Sequence, residues 1–239
     1  MAPCPAVVRP ACRMHINISP GCSRGDYTGV TCRPMCTAYE LGKRGGSFPD
    51  QVKARAMKEL LALVGTSIIR PTLPAPVLMP DGELRTMAWG FRRPVPGGKT
   101  KQLWRTIVNS REDKLQGRTW SKAFGERRCL IPAAAFYEWT DGPTGKVPLR
   151  FERPGDEWLW IAGIWEQDKE RGECFSMVTT EPNEVLAAVH DRMPAVLAPE
   201  QIGPYLAGDL KEFGPSAVGL EFRETANFLK KPPNQGELF

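Results

Sequence analysis

Between Asp50 and Val64 a helical pattern runs through Val52, Ala56, Met57, Leu60, Leu61 and Val64. That spacing lines one face of an amphipathic helix, and Asp50, directly after Pro49, suits its N-cap. The period then changes. From 70 to 100, prolines and glycines interrupt short extended pieces, among them Pro76–Met79 and Leu84–Trp89, which predicts strands joined by loops. Thr106–Asn109, Cys129–Ile131, Ala135–Trp139, Leu149–Glu152, Trp158–Trp165 and Cys174–Thr180 continue the β pattern, with a turn at Arg153-Pro154-Gly155-Asp156. Pro182 opens a short helix running to His190, Met193–Leu197 returns to strand, and Pro199–Leu206 forms a second short helix. Nothing in this stretch reads as an interdomain linker. The intermixed pattern predicts a single α+β domain over 35–229, built on a largely antiparallel, barrel-like β-sheet with peripheral helices.

The two ends depart from this patterning. Residues 1–34 hold no lysine and no hydrophobic period, and five of the seven cysteines lie in the first 36 residues. A zinc site would want closer ligand pairs: the gaps between successive cysteines are seven, nine, nine and three residues, and His15 stands alone. A disordered leader, or an extension ahead of a true start at Met35, accounts for the segment better. No metal and no cofactor is expected. At the other end, 230–239 reads as a mobile tail. No stretch approaches 18 apolar residues and no secretory signal is visible, so a cytoplasmic protein is expected, nucleoid-associated when bound to DNA.

Of the net charge of +5, residues 1–35 supply +3, so overall basicity is no argument for nucleic acid. Local distribution differs. From Arg92 to Arg128 eleven Lys/Arg face three Asp/Glu, interleaved with Trp104, Trp120 and Phe124, an arrangement that suits phosphates and stacked bases. A solvated surface over buried aromatics fits the same composition.

Met35-Cys36 carries the most distinctive chemistry. Removal of Met35 would leave Cys36 N-terminal, with an α-amine of pKa about 8 and a thiol of about 8.5 on adjacent carbons. Such a 1,2-aminothiol condenses with an aldehyde to a Schiff base and closes to a thiazolidine. His190 is the only histidine after residue 35 and the sole side chain there suited to shuttling protons near pH 7, although a lone histidine is often structural. Glu138 lies in the apolar, aromatic strand Ala-Ala-Ala-Phe-Tyr-Glu-Trp, where desolvation would raise its pKa; an exposed edge-strand glutamate is the alternative. Asn109 and Arg111, two apart, would share a face of an extended segment, an amide to orient and a guanidinium to hold phosphate, unless they are a turn asparagine and a surface arginine.

In order and spacing, Met35-Cys36, Ala88-Trp89-Gly90, Asn109-Ser110-Arg111-Glu112, Arg128–Pro132 leading to Phe136-Tyr137-Glu138-Trp139, Thr179–Asn183 and His190-Asp191-Arg192-Met193-Pro194 resemble the SOS response-associated peptidase family. The resemblance implies a protein that shields abasic sites in single-stranded DNA. The Cys36 amine would attack the C1′ aldehyde of an opened abasic deoxyribose, and the thiol would close the ring into a covalent DNA-protein crosslink. Asn109 would position the amine or sugar, while Glu138 and His190 would move protons, His190 also in the reverse reaction. It further implies weak abasic-site lyase activity and a peptidase activity that would expose Cys36. Arg111, with Arg92, Arg93 and the basic stretch, would hold phosphates, and Trp89, Phe91 or Trp104 would meet bases. The family's apolar Leu-Ile-Pro and tryptophan after Trp89-Gly90 is replaced by Phe91-Arg92-Arg93-Pro94-Val95, leaving Phe91 or Trp104 as the wedge between bases; Ser110 replaces an alanine.

The last five residues, Gln235-Gly236-Glu237-Leu238-Phe239, resemble peptides that dock on the bacterial sliding clamp through residues such as Gln235, Leu238 and Phe239. A monomer is expected. Two other functions fit the same residues: an N-terminal-nucleophile cysteine hydrolase using Cys36, Glu138 and His190, and a non-catalytic single-stranded DNA-binding module.

Overall fold

Arg128–Ala133, Arg-Cys-Leu-Ile-Pro-Ala, is buried at every position, which an extended segment achieves only when both of its faces are covered. The computed structural model, which describes residues 36–42, 46–63, 67–95, 103–143 and 145–229, shows how. These residues belong to the unit Pro34–Phe239. The leader, Met35, and the tail from Lys230 with its clamp-like peptide lie outside the described residues.

In chain order the elements are β1 (Tyr39–Leu41), α1 (Ala54–Ala62), β2 (Ser67–Ile69), β3 (Pro74–Leu78), β4 (Leu84–Trp89), β5 (Phe91–Val95), β6 (Leu103–Ile107) and β7 (Asn109–Arg111). There follow α2 (Ser121–Glu126), β8 (Arg128–Ala133), β9 (Ala135–Gly142), β10 (Gly145–Glu152), β11 (Leu159–Asp168), β12 (Gly172–Thr180), α3 (Glu184–Ala187), β13 (Met193–Pro194), α4 (Pro199–Ala207) and β14 (Glu221–Glu224). Strands β11, β8, β3, β4 and β12 pair in that order, and β12 pairs back to β11, so the five close on themselves. Closure leaves no raw edge in the ring. β7 and β13 add to β12, a second sheet runs β14-β10-β9-β1-β2, and β5-β6 form a separate hairpin. Most pairings are antiparallel; β12 meets β4 and β7 in parallel.

Alternation along the ring strands divides the interior in two. Cys129, Ile131, Leu159, Ile161, Phe175 and Met177 enter one core with Cys36, Tyr39 and Phe136. Their sequence neighbours Leu130, Trp160, Ala162, Cys174 and Val178 enter a second core with Leu60 of α1, Phe124 of α2 and Ile202 and Tyr205 of α4. Helices α1, α2 and α4 therefore pack on one side of the ring wall, while α3 buries Leu186 in the first core. The α+β, barrel-like expectation is borne out.

Local differences have local causes. The helix begins at Ala54 rather than after Asp50, because the Val52 N–H donates to the Pro49 carbonyl at 2.9 Å, a tight turn ahead of the Lys53 N-cap. The predicted helix over 182–190 shrinks to α3, whose first turn is capped by the Asn183 side chain accepting the Leu186 N–H at 3.1 Å. Of Met193–Leu197 only Met193 and Pro194 pair with β12, while Val196 touches Ile161 by an isolated bridge. The sequence pattern did not predict β1, β2, β5, α2 or β14.

Candidate active site

Cys36 is held by its neighbours in β1. The Ala38 carbonyl accepts the Tyr137 N–H at 3.0 Å and the Glu40 carbonyl accepts the Ala134 N–H at 2.7 Å. This pairing lays the start of the segment beside Glu138 of β9, whose Oε1 accepts the Cys36 N–H at 2.7 Å. Cys36 itself has φ +29°, a left-handed backbone that a non-glycine residue occupies at a cost of order 1–3 kcal/mol.

Glu138 is only 2% exposed. Burial pushes its carboxyl up to about 8; the Cys36 N–H opposes that rise and the neighbouring Asp191 charge adds to it. The carboxyl is therefore poised to change protonation near neutrality. The Cys36 thiol is driven well above its ordinary range by burial and then by the Glu138 charge. Its hydrogen bond runs to the Ala38 carbonyl at 3.7 Å.

Asn109 opens β7, where Met177 of β12 is its partner, and its Nδ2 donates to the Cys36 carbonyl at 3.4 Å. Between Asn109 and Arg111, Ser110 turns inward and hydrogen-bonds Ser176 at 2.7 Å, as alternation requires. His190 follows α3, its N–H donating to the Leu186 carbonyl at 2.9 Å. Its Nδ1 accepts the Arg192 N–H at 3.0 Å and lies 2.9 Å from Asp191 Oδ1. Its Nε2 is buried with no hydrogen-bond partner among the described residues.

Cys36, Glu138 and Asn109 are thus in direct contact, and the His190-Asp191 corner adjoins them through the charge of Asp191 on Glu138. Asp191 and Arg192 were named in the sequence only within the stretch His190–Pro194 and were assigned no role. Arg192 Nη2 donates to the Thr179 carbonyl at 2.6 Å and ties down the turn that carries His190. The signal for both was their place in that stretch, next to the histidine.

The residues expected to meet DNA separate into two groups. Trp89 and Phe91 are fully buried: the Trp89 indole donates to the Val108 carbonyl at 3.0 Å and stacks on Phe175, while Phe91 packs on Trp120. Both are core side chains and present no ring to a base. Trp104 of β6 is 46% exposed, with the Arg92 guanidinium 3.9 Å from its ring centre. The basic stretch is also less cationic than it reads. Arg92 pairs with Glu170 at 2.5 Å, Arg93 Nη2 with Glu166 at 2.7 Å, and Arg111 Nε with Asp113 at 3.0 Å. Arg128 is buried between α2 and α4, donating to the Phe124, Tyr205 and Leu210 carbonyls. Lys99 and Lys101 lie outside the described residues.

Among the described residues no three His, Cys, Asp or Glu side chains converge as metal ligands, and no helix is long and apolar enough to cross a membrane. A cleft of about 210 Å³ between Phe48, Gln51, Arg153, Trp160 and Ile202 contains none of the candidate catalytic or DNA-contacting residues.

Residues 35–221 match the family model for SOS response associated peptidase. The abasic site processing protein YoqW of Bacillus subtilis is 30% identical over 126 residues, covering 50% of this chain and 55% of that protein. YoaM of the same organism, also described as an abasic site processing protein, is 30% identical over 171 residues, covering 64% and 73%. The match to YoqW thus spans about half of that relative's length. A crystal structure of a Bacteroides thetaiotaomicron protein superimposes with a TM-score of 0.61 at 19% identity, covering 84% of this chain and 97% of the other, a likeness of fold.

Proposed function

This chain belongs to the SOS response associated peptidase family, and from that premise we propose that it processes abasic sites by forming a thiazolidine crosslink between Cys36 and single-stranded DNA. The contact of the Cys36 nitrogen with Glu138 Oε1 at 2.7 Å supports the reading most strongly. Once residues 1–35 are absent, that nitrogen is an α-amine with its proton acceptor already in place.

The steps follow from the residues. The amine lone pair attacks the C1′ aldehyde carbon of the opened deoxyribose, and Glu138 accepts the proton that nitrogen gives up. The same carboxyl, now protonated, gives that proton to the alkoxide oxygen to form the carbinolamine; it then takes the second proton from nitrogen and delivers it to the hydroxyl, which leaves as water and gives the imine. Burial raises this carboxyl toward neutrality and the Cys36 ammonium pulls it back, which suits it to give and take protons in turn. The thiol sulfur then adds to the imine carbon, its proton passes to the nitrogen, and the ring closes. Because burial keeps the thiol protonated, the amine reacts first. Asn109 Nδ2 holds the Cys36 carbonyl and so the orientation of the nucleophile. His190 Nε2 moves protons at the sugar, including in reversal and in lyase side reactions.

A cysteine hydrolase would need a ready thiolate, and the raised thiol with its bond to a carbonyl oxygen is poorly suited to that. The test is a denaturing gel of the chain beginning at Cys36 after incubation with abasic single-stranded DNA. A shifted band that Cys36→Ala abolishes is expected. No band, or a band that survives Cys36→Ala, would overturn the reading.

A further inference from the structure

Glu40, Tyr137 and Arg150 form a buried ionic network that the chemistry at Cys36 does not use. The Glu40 carboxylate accepts from Arg150 Nε at 2.8 Å, Arg150 Nη2 at 3.2 Å and the Tyr137 hydroxyl at 2.8 Å. Arg150 also pairs with Glu152, which reaches Arg223 of β14 at 3.5 Å. One network therefore joins β1, β9, β10 and β14 side by side. Register explains the fit, since Arg150 stands opposite Tyr137 and Glu40 opposite Ala135. Burial, with the hydrogen bond to Glu40, pushes the Tyr137 phenol up to about 12, which keeps it a hydrogen-bond donor at all ordinary pH.

Buried ion pairs add little net stability, because desolvation offsets most of the Coulomb attraction, and apolar replacements are often as stable. What such a network can fix is position. Here there is something specific to fix: β1 is three residues long and meets β9 through only two register pairs, Tyr39 with Phe136 and Glu40 with Ala135. If Cys36 is the first residue, β1 becomes a chain terminus, and termini fray unless tied down. Tyr137 and Glu138 are consecutive in β9, so their side chains leave opposite faces of the strand. Tyr137 grips β1 through Glu40 on one face while Glu138 meets the Cys36 nitrogen.

We propose that the Glu40–Tyr137–Arg150 network is a positioning device that locks the N-terminal strand so that the Cys36 nitrogen stays on Glu138. It rests on the aminothiol chemistry proposed above. None of its three side chains touches the reacting atoms; only the Tyr137 backbone reaches the Cys36 thiol, and Tyr137→Phe leaves that backbone in place.

The experiment uses the chain beginning at Cys36 and four variants: Glu40→Gln, Tyr137→Phe, Arg150→Lys and, as a control in the other core, Leu60→Ala. Three quantities are read for each: the melting temperature, the single-turnover crosslinking rate at saturating abasic single-stranded DNA, and affinity for the same DNA carrying a base. Glu40→Gln should slow crosslinking about ten- to a hundred-fold with affinity unchanged, the scale of a nucleophile displaced by a fraction of an ångström to an ångström. Tyr137→Phe and Arg150→Lys should slow it less, in the same sense, and they carry the test if Glu40→Gln does not fold. Leu60→Ala should lower the melting temperature and leave the rate at saturation intact. Wild-type rates in the foldable network variants, or an equal slowing in Leu60→Ala, would overturn the proposal. A second readout, thiazolidine formation with glyoxylate followed by mass, requires no DNA. If wild type forms no DNA crosslink yet the network variants still slow the glyoxylate reaction, the abasic-site reading fails and the positioning role stands.

Discussion

The Cys36 nitrogen and Glu138 Oε1 lie 2.7 Å apart across 102 positions of sequence. The proposed nucleophile and the group that takes its proton are therefore in hydrogen-bond contact without any substrate. Such contact satisfies the geometric requirement on a general base, and the raised carboxyl satisfies the requirement on its pKa.

Replacing Glu138 by glutamine keeps the shape and a hydrogen-bond acceptor but removes the proton exchange. Crosslinking should slow by about 10²–10⁴-fold, the usual worth of a positioned acid-base group. DNA affinity should hold. Single-turnover gels and fluorescence titration together check both halves.

Glu138 also makes stability depend on pH in a defined direction. Its folded-state value of about 8 lies above the ordinary 4.5, so the stability it confers is fully present below about 4.5 and is lost as pH rises through about 8. Urea unfolding of the full chain should show stability falling across that window by an amount of order a few kcal/mol, and Glu138→Gln should flatten the fall. In the chain that begins at Cys36, the ammonium beside the carboxylate favours ionisation and should shrink the slope too.

Trp104 and Phe91 sit on paired strands of one hairpin and should answer differently to truncation. Trp104→Ala removes an exposed ring and should weaken single-stranded DNA binding by about 1–3 kcal/mol with little change in stability. Phe91→Ala empties a buried site against Trp120 and should cost about 3–5 kcal/mol of folding free energy. Paired titrations and denaturant melts distinguish the two.

Gly90 turns the chain from the closed ring into that hairpin with φ +117°. A Cβ there would lie 2.3 Å from Thr106 Cγ2 and 3.1 Å from Val108 Cγ1. Gly90→Ala should therefore destabilise by about 1–3 kcal/mol, combining strain and collision. Thermal melts would detect it as a lowered midpoint.

Much of the fold was legible because the ring strands are short extended pieces rich in apolar and β-branched residues and bounded by turn residues. Leu84–Trp89 was predicted with the bounds of β4, and Cys174–Thr180 within two residues of those of β12. β1 was not, since three residues make no pattern and its partners on β9, Phe136 and Ala135, are remote in sequence. The same limit governs the surface. Arg92 and Arg93 read as free cations because their partners Glu170 and Glu166 lie more than 70 residues on, at the β11–β12 turn and at the end of β11. Trp89 and Phe91 looked available for bases because burial is decided by Tyr39, Phe175 and Trp120, none of them adjacent in sequence. Cys36 could be singled out at all because its chemistry depends on one neighbour, Met35.

The 102 positions between Cys36 and Glu138 also have a consequence in time. A ribosome adds about 5–20 residues per second, so Cys36 is made roughly 5–20 seconds before the carboxylate that covers its nitrogen exists. Through that interval the nitrogen has no Glu138 to shield it from processing enzymes. A processing enzyme acting during synthesis would thus reach that nitrogen before any carboxylate covers it.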